Sequence, residues 1–182
     1  MKATGIVRRI DELGRVVIPK EIRRTLRIKE GYPLEIYVGK DGEIVLKKYS
    51  PMGEMGDSAG DFADALQRVS GHTAIITDRE VVVSVGGTAM RRQMLDKPLS
   101  HALEELMQER TAGTLMGADA LLPQICEGIA QDAFSAITFA PILSEGELSG
   151  MVLLAAQEKP ITQVDEKLVQ SAAMFFGNQM EN

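Results

Sequence analysis

The stretch "DELGRVVIPKEIRRTL", Asp11 to Leu26, decides how this chain is read. Its first half holds a turn, Asp11–Gly14, followed by the β-branched run Arg15–Ile18. Pro19 then fixes its own φ and holds Ile18 extended. Proline also suits the first helical position, where its missing N–H would have no partner. Pro19 is therefore expected to act as a hinge from strand to helix, with the helix running from Lys20 to about Arg27. On that helix Lys20, Arg23, Arg24 and Arg27 fall at i, i+3, i+4 and i+7, which places four cations on one face. Ile22 and Leu26 are expected to face a core.

Outward from this stretch, the first fifty residues read as small β units. Gly5–Ile10 is a strand candidate, "LEIYV" (Leu34–Val38) alternates, Asp41–Gly42 signals a hairpin and Ile44–Lys48 returns. Strict alternation puts Arg8 on the face of Ile6 and Ile10, so either a bulge turns the strand or both faces are mixed. Four short strands make a poor core for one chain. The segment has neither His nor Cys to staple it. A homodimer, with strands of two chains closing one core, is expected.

Charge is divided along the chain. Residues 1–50 carry a net +5 and residues 51–182 a net −11. A basic head joined to an acidic body fits a phosphate-binding head whose partner domain is repelled by phosphate. Lys2, Arg8, Arg9 and Arg15 precede the helix, and the Asp11–Gly14 turn brings Arg8 and Arg15 close. Clustered cations repel one another unless an anion of repeated charge lies against them, and a nucleic-acid backbone is such an anion. Arginine also makes bidentate contacts to phosphate and guanine. The plainer alternative is a solvated face on which Glu21 and Glu30 offer local ion pairs.

Residues 51–57 read as a linker, at the centre of a stretch (Tyr49–Gly60) rich in Gly, Ser, Pro and Met. The body, 58–182, reads as a helix over Phe62–Val69, a hairpin of Thr73–Asp78 and Val81–Val85, and a helix over Pro98–Arg110. A second hairpin of Ala136–Leu143 and Leu148–Ala156 and a terminal helix over Ile161–Met180 complete it. Thr162 and Asp165 have capping-box spacing. Asp119–Asp132 fits either a strand broken by a loop or a short helix. The fold class is α+β. The two amphipathic helices of the body are expected to pair with each other or across copies.

Chemistry beyond binding is weakly signalled. Cys126 is the one cysteine, and a buried small apolar role suits it better than a redox thiol or chromophore anchor. His72 and His101 lack metal-ligand spacing. No P-loop, GxGxxG or GxSxG is present. The expectation is a protein that is not an enzyme, with no metal and no cofactor, and no membrane span or signal peptide in this sequence.

The run "GIVRRIDELGRVVIPKEIRRTLRI … LEIYV … DGEIVLKKY" resembles the DNA-binding domain of the AbrB family of bacterial transition-state regulators. The resemblance covers residues 1 to about 50. It implies a swapped-hairpin β-barrel dimer on double-stranded DNA, with contacts from Arg8, Arg15, Arg23 and Arg24; the charge pattern itself adds Lys2, Arg9, Lys20 and Arg27 as DNA-binding candidates. The body is similar in pattern to a GAF domain, an antiparallel sheet with flanking helices. GAF domains bind small ligands, and nothing in the sequence names one here. With this acidic half attached, the resemblance implies a cytoplasmic, nucleoid-associated sporulation regulator that activates some genes and represses others during forespore development. The C-terminal helices allow a homotetramer. The runner-up is a metabolite-binding or enzymatic body carried by an N-terminal dimerising adaptor.

Overall fold

The computed structural model describes residues 4–117 and 121–181, with the side chains of 88 and 89 left aside. The chain forms two compact units that divide between Tyr49 and Ser50.

In the head, α1 (Lys20–Thr25) is followed by β1 (Leu34–Val38) and β2 (Ile44–Lys48). The two strands pair antiparallel, from Leu34↔Lys48 to Val38↔Ile44. Gly42, at φ +77, supplies the left-handed residue that the hairpin loop needs, and the Gly39 amide closes it on the Glu43 carbonyl at 2.8 Å.

Two expected elements differ. Residues 5–10 and 15–18 are not strands within the single chain, although their connecting turn forms: the Asp11 amide donates to the Arg15 carbonyl at 3.0 Å. A strand exists only against a hydrogen-bonded neighbour. The helix also ends at Thr25, not Arg27, because the chain turns left-handed at Arg27 (φ +53).

Among residues 4–49 only Pro19 is buried. Val7, Ile10, Val17, Ile36, Val38 and Ile44 are each 66–88% exposed, and Leu26 is 52% exposed rather than core-facing. So much exposed apolar surface leaves one copy of the head without a core of its own.

The body begins immediately after the head. The expected linker, 51–57, is largely helical instead: α2 spans Pro51–Glu54 and α3 spans Gly56–Ser70. Ser50 caps α2 by accepting the Gly53 amide at 3.1 Å, and its hydroxyl donates to Asp78 Oδ2 at 2.8 Å. Pro51 occupies the first helical turn and Met52 is fully buried. The Ser-Pro-Gly composition that suggested flexibility serves as a cap and helix start.

The remaining elements are β3 (Thr73–Thr77), β4 (Val82–Val85), α4 (Thr88–Met94), α5 (His101–Gln108), β5 (Gly113–Met116), β6 (Ala136–Ser144), β7 (Glu147–Ala156) and α6 (Gln163–Met180). The strands form one antiparallel sheet in the order β4-β3-β7-β6-β5. Central β7 is apolar along most of its length because both faces of the sheet are covered. One face packs Ile76, Val152 and Leu154 against Ala63 and Leu66 of α3 and Ala173 and Phe176 of α6. The other packs Ile75, Leu153 and Phe139 against Met94, Leu103 and Met107, and against Ile125, Cys126 and Phe134 of the 121–135 segment. That segment is an irregular loop tied in by a bridge from Cys126 to Leu99, neither a full strand nor a helix.

The two long helices do meet. Phe62 of α3 stacks on Phe175 at 5.1 Å between centroids and meets Phe176 edge-on at 5.2 Å. The expected capping box is present: Asp165 Oδ2 accepts the Thr162 amide at 2.8 Å, and the Asp165 amide donates to Thr162 Oγ1.

Candidate nucleic-acid interface

The head's cations are ordered by its turn. The Asp11 carboxylate accepts the amides of Leu13 and Arg15 at 3.0 and 2.8 Å, an Asx-type turn, and accepts Arg15 Nε at 2.9 Å. These hydrogen bonds, led by those from Arg15, hold the Asp11 carboxyl below the usual carboxylate range. Asp11 thus fixes one edge of the Arg15 guanidinium while the side chain stays 69% exposed.

Pro19 is the N-cap of α1, with φ −55 and ψ 146, so it carries the chain from extended to helical. Beyond it, Arg23 is half-buried, and Lys20 and Arg24 are exposed. Arg27 lies past the helix end, so the expected four-cation face narrows to Lys20, Arg23 and Arg24. Arg8 and Arg9 are exposed ahead of the turn, whereas Lys2 lies outside the described residues. Among the described residues, neither Arg8, Arg9, Lys20, Arg23, Arg24 nor Arg27 takes part in an ion pair. Glu21 and Glu30 do not neutralise them. On β2, Lys47 sits over the Tyr37 ring at 4.6 Å and Lys48 over the Tyr32 ring at 5.4 Å, so these lysines are held by the hairpin.

Sequence reasoning missed Asp11 as the anchor of Arg15. The signal was available, because Asp followed three residues later by Gly is a turn that frees a carboxylate to accept backbone amides.

The body carries no comparable cluster of free cations among its described side chains. Cys126 is fully buried, and that burial pushes its thiol pKa up. His101 lies 3.5 Å from Glu105 on an exposed helix face, and His72 is buried 3.5 Å from Asp165. Among the described residues no group of His, Cys, Asp and Glu side chains is placed to hold a metal ion, and no helix is long and apolar enough to cross a membrane.

Comparison with known proteins gives these features a family. Residues 54–181 match the model described as Stage V sporulation protein T C-terminal, transcription factor. Residues 7–54 match the model of the MazE bacterial antitoxin. The transition state regulatory protein AbrB of Bacillus subtilis is 69% identical over 51 residues, 28% of this chain and 52% of that protein. The body shares its fold with the GAF domain of an Acinetobacter phosphoenolpyruvate-protein phosphotransferase (TM-score 0.55, 10% identity, 74% of this chain and 84% of that one). These matches define a class, transcription factors that join an AbrB-like head to a GAF-fold body.

Within that class, Stage V sporulation protein T of Bacillus subtilis is 48% identical over 181 residues, covering 100% of this chain and 99% of that protein. The chain belongs to the Stage V sporulation protein T family.

Proposed function

We propose that this protein regulates transcription in sporulation by binding double-stranded DNA through a paired head. Two copies of residues 1–50 interleave into a swapped-hairpin β-barrel. The support is the exposed apolar set Val7, Val17, Ile36 and Val38, together with two β-branched segments that lack a strand neighbour in the single chain. Arg8, Arg15, Arg23 and Arg24 make the principal DNA contacts, with Lys2, Arg9, Lys20 and Arg27 adding phosphate contacts at the rim. Pro19 is the hinge that sets α1 against the preceding strand.

The observation that carries this reading is the unpaired, outward set of arginines around a turn that pins Arg15. Contacts made largely to backbone leave specificity to DNA shape and flexibility, with an A/T lean. The body joins copies and sets the spacing of the heads. Val164 and Met174 on α6 are 66% and 69% exposed, which suits a homotetramer built through the terminal helices. We read the protein as non-catalytic, acting at the nucleoid in the cytoplasm as both activator and repressor. The adaptor reading, with a catalytic or metabolite-binding body, is not favoured by a family whose body model is described as a transcription factor.

The test is a salt titration of binding to a promoter fragment, with Arg23→Ala/Arg24→Ala alongside. Affinity is expected to fall with salt by about 0.9 log units per log unit for each phosphate neutralised. The double variant is expected to lose both affinity and slope while keeping its fold and mass. Equal binding by the variant would return α1 to the status of a solvated helix.

A further inference from the structure

The body holds a cavity of about 460 Å³ at the β4 edge of its sheet, between α3 and the turn after α4. It lies on the α3 side of the sheet, since Ser84 of β4 pairs with Ile76 and faces Gly60 of α3. A space of this size suits a small ligand.

The charges around it are mostly uncompensated. Asp64 is accounted for: it accepts the Gly87 amide at 3.0 Å and Arg91 Nη2 at 2.9 Å. Asp78 is also occupied, by the amides of Glu80 and Val81 and the Ser50 hydroxyl. Asp57, Asp61 and Asp96 also line the cavity, are exposed to solvent, and form no ion pair or side-chain hydrogen bond among the described residues. Asp57 and Asp61 stand four apart on α3, a like-charge spacing that destabilises a helix.

A second feature points independently into the same space. Ser84 is 4% exposed and lines the cavity, and its hydroxyl has no hydrogen-bond partner among the described residues. The side chain is almost wholly enclosed while its hydroxyl opens into the cavity, so that oxygen is free to accept a donor from a ligand there.

The carboxylates do not converge. No group of them among the described residues is placed to hold a metal ion, so a point cation is a poor match. An extended cation with charges several bonds apart matches better, and Val83 and Leu95 offer apolar wall between the charged points. We propose that this cavity binds an aliphatic polyamine, with ammonium groups at Asp57, Asp61 and Asp96, one N–H donated to Ser84, and methylenes over Val83 and Leu95. Neither the family models nor the relatives assign this site, and it does not rest on how the head contacts DNA.

The experiment is calorimetric titration of full-length protein with spermidine at about 0.15 M salt, where charges beyond about 8 Å are screened. The expected result is saturable binding of one spermidine per chain. It should weaken about tenfold in Asp57→Asn/Asp61→Asn, two surface changes that leave the core intact. Ser84→Ala should weaken it measurably. Glu104→Gln/Glu105→Gln, the same loss of charge on α5, should leave it unchanged. Three results would overturn the proposal: no saturable heat, equal weakening by both double variants (diffuse attraction to an acidic protein), or full displacement by magnesium at matched ionic strength.

Discussion

Arg15 Nε donates to Asp11 Oδ2 at 2.9 Å, across a turn that the same carboxylate closes through two backbone amides. One acidic side chain therefore builds the turn and aims a cation. This bears directly on what Asp11 does for DNA binding. If only net charge mattered, Asp11→Ala would bind DNA more tightly, since a negative charge is gone. Because Asp11 positions Arg15, we expect weaker binding in a mobility-shift titration. Arg15→Ala should weaken binding and also lower the salt slope by about 0.9 for each phosphate that Arg15 neutralises. Tighter binding by Asp11→Ala would show that the carboxylate only neutralises its neighbour.

The body's helices lie close on the sheet because particular positions lack a side chain. A Cβ added at Gly86 would stand 2.1 Å from the Ala63 carbonyl oxygen, and one at Gly177 would stand 2.2 Å from that of Leu143. Backbone atoms cannot yield as a flexible side chain does. Gly86→Ala and Gly177→Ala should each cost about 3 kcal/mol or more in urea denaturation. Gly56→Ala meets nothing within 4 Å on a helix and should be neutral or stabilising by about 0.5 kcal/mol. Comparable stability across all three would refute the close-packing account.

Burial pushes the Asp165 carboxyl up, but hydrogen bonds from Thr162 and the charges of His72 and Lys159 outweigh it, so its pKa is lowered from 3.8. A group depressed in the folded state contributes stability above its unfolded value and loses it as pH falls through its folded value. The body should therefore lose stability progressively as pH drops below 3.8. In Asp165→Asn this acid-dependent component should vanish from thermal melts. Thr162→Ala should cost about 1 kcal/mol at neutral pH through loss of the cap. An unchanged acid profile in Asp165→Asn would place the titration elsewhere.

Val38 is 80% exposed in the single chain. Were that surface solvated in solution, Val38→Asp would be harmless. A paired head buries it, and the substitution should weaken association at least about tenfold per copy, read by sedimentation of the full chain. An unchanged mass distribution would remove the interleaved barrel from the proposal.

Much of this was legible in the sequence, for physical reasons. The turn at Asp11–Gly14, the proline switch and the cations beyond it are local features, set by neighbours within a few residues. So are the Asp41–Gly42 hairpin and the Thr162–Asp165 capping box, both of which form as their spacing predicts. The apolar runs Ala136–Leu143 and Leu148–Ala156, and the amphipathic pattern over Ile161–Met180, pointed to the body's second hairpin and its terminal helix. The short helix α4 and the four-residue strand β5 escaped, because neither is long enough to carry a period.

What only tertiary structure decided lies between residues distant in sequence. Composition made 51–57 a linker, but Ser50 reaches Asp78 and Met52 finds the core, so the segment is helical. Arg27 left the cationic face because the chain turned left-handed there. Asp57, Asp61, Ser84 and Asp96 carry no shared motif. They line one cavity because β4 packs beside α3 and the turn after α4 closes over them. A sequence specifies the short-range chemistry of each residue, and only the packed sheet determines which of those chemistries come to face one another.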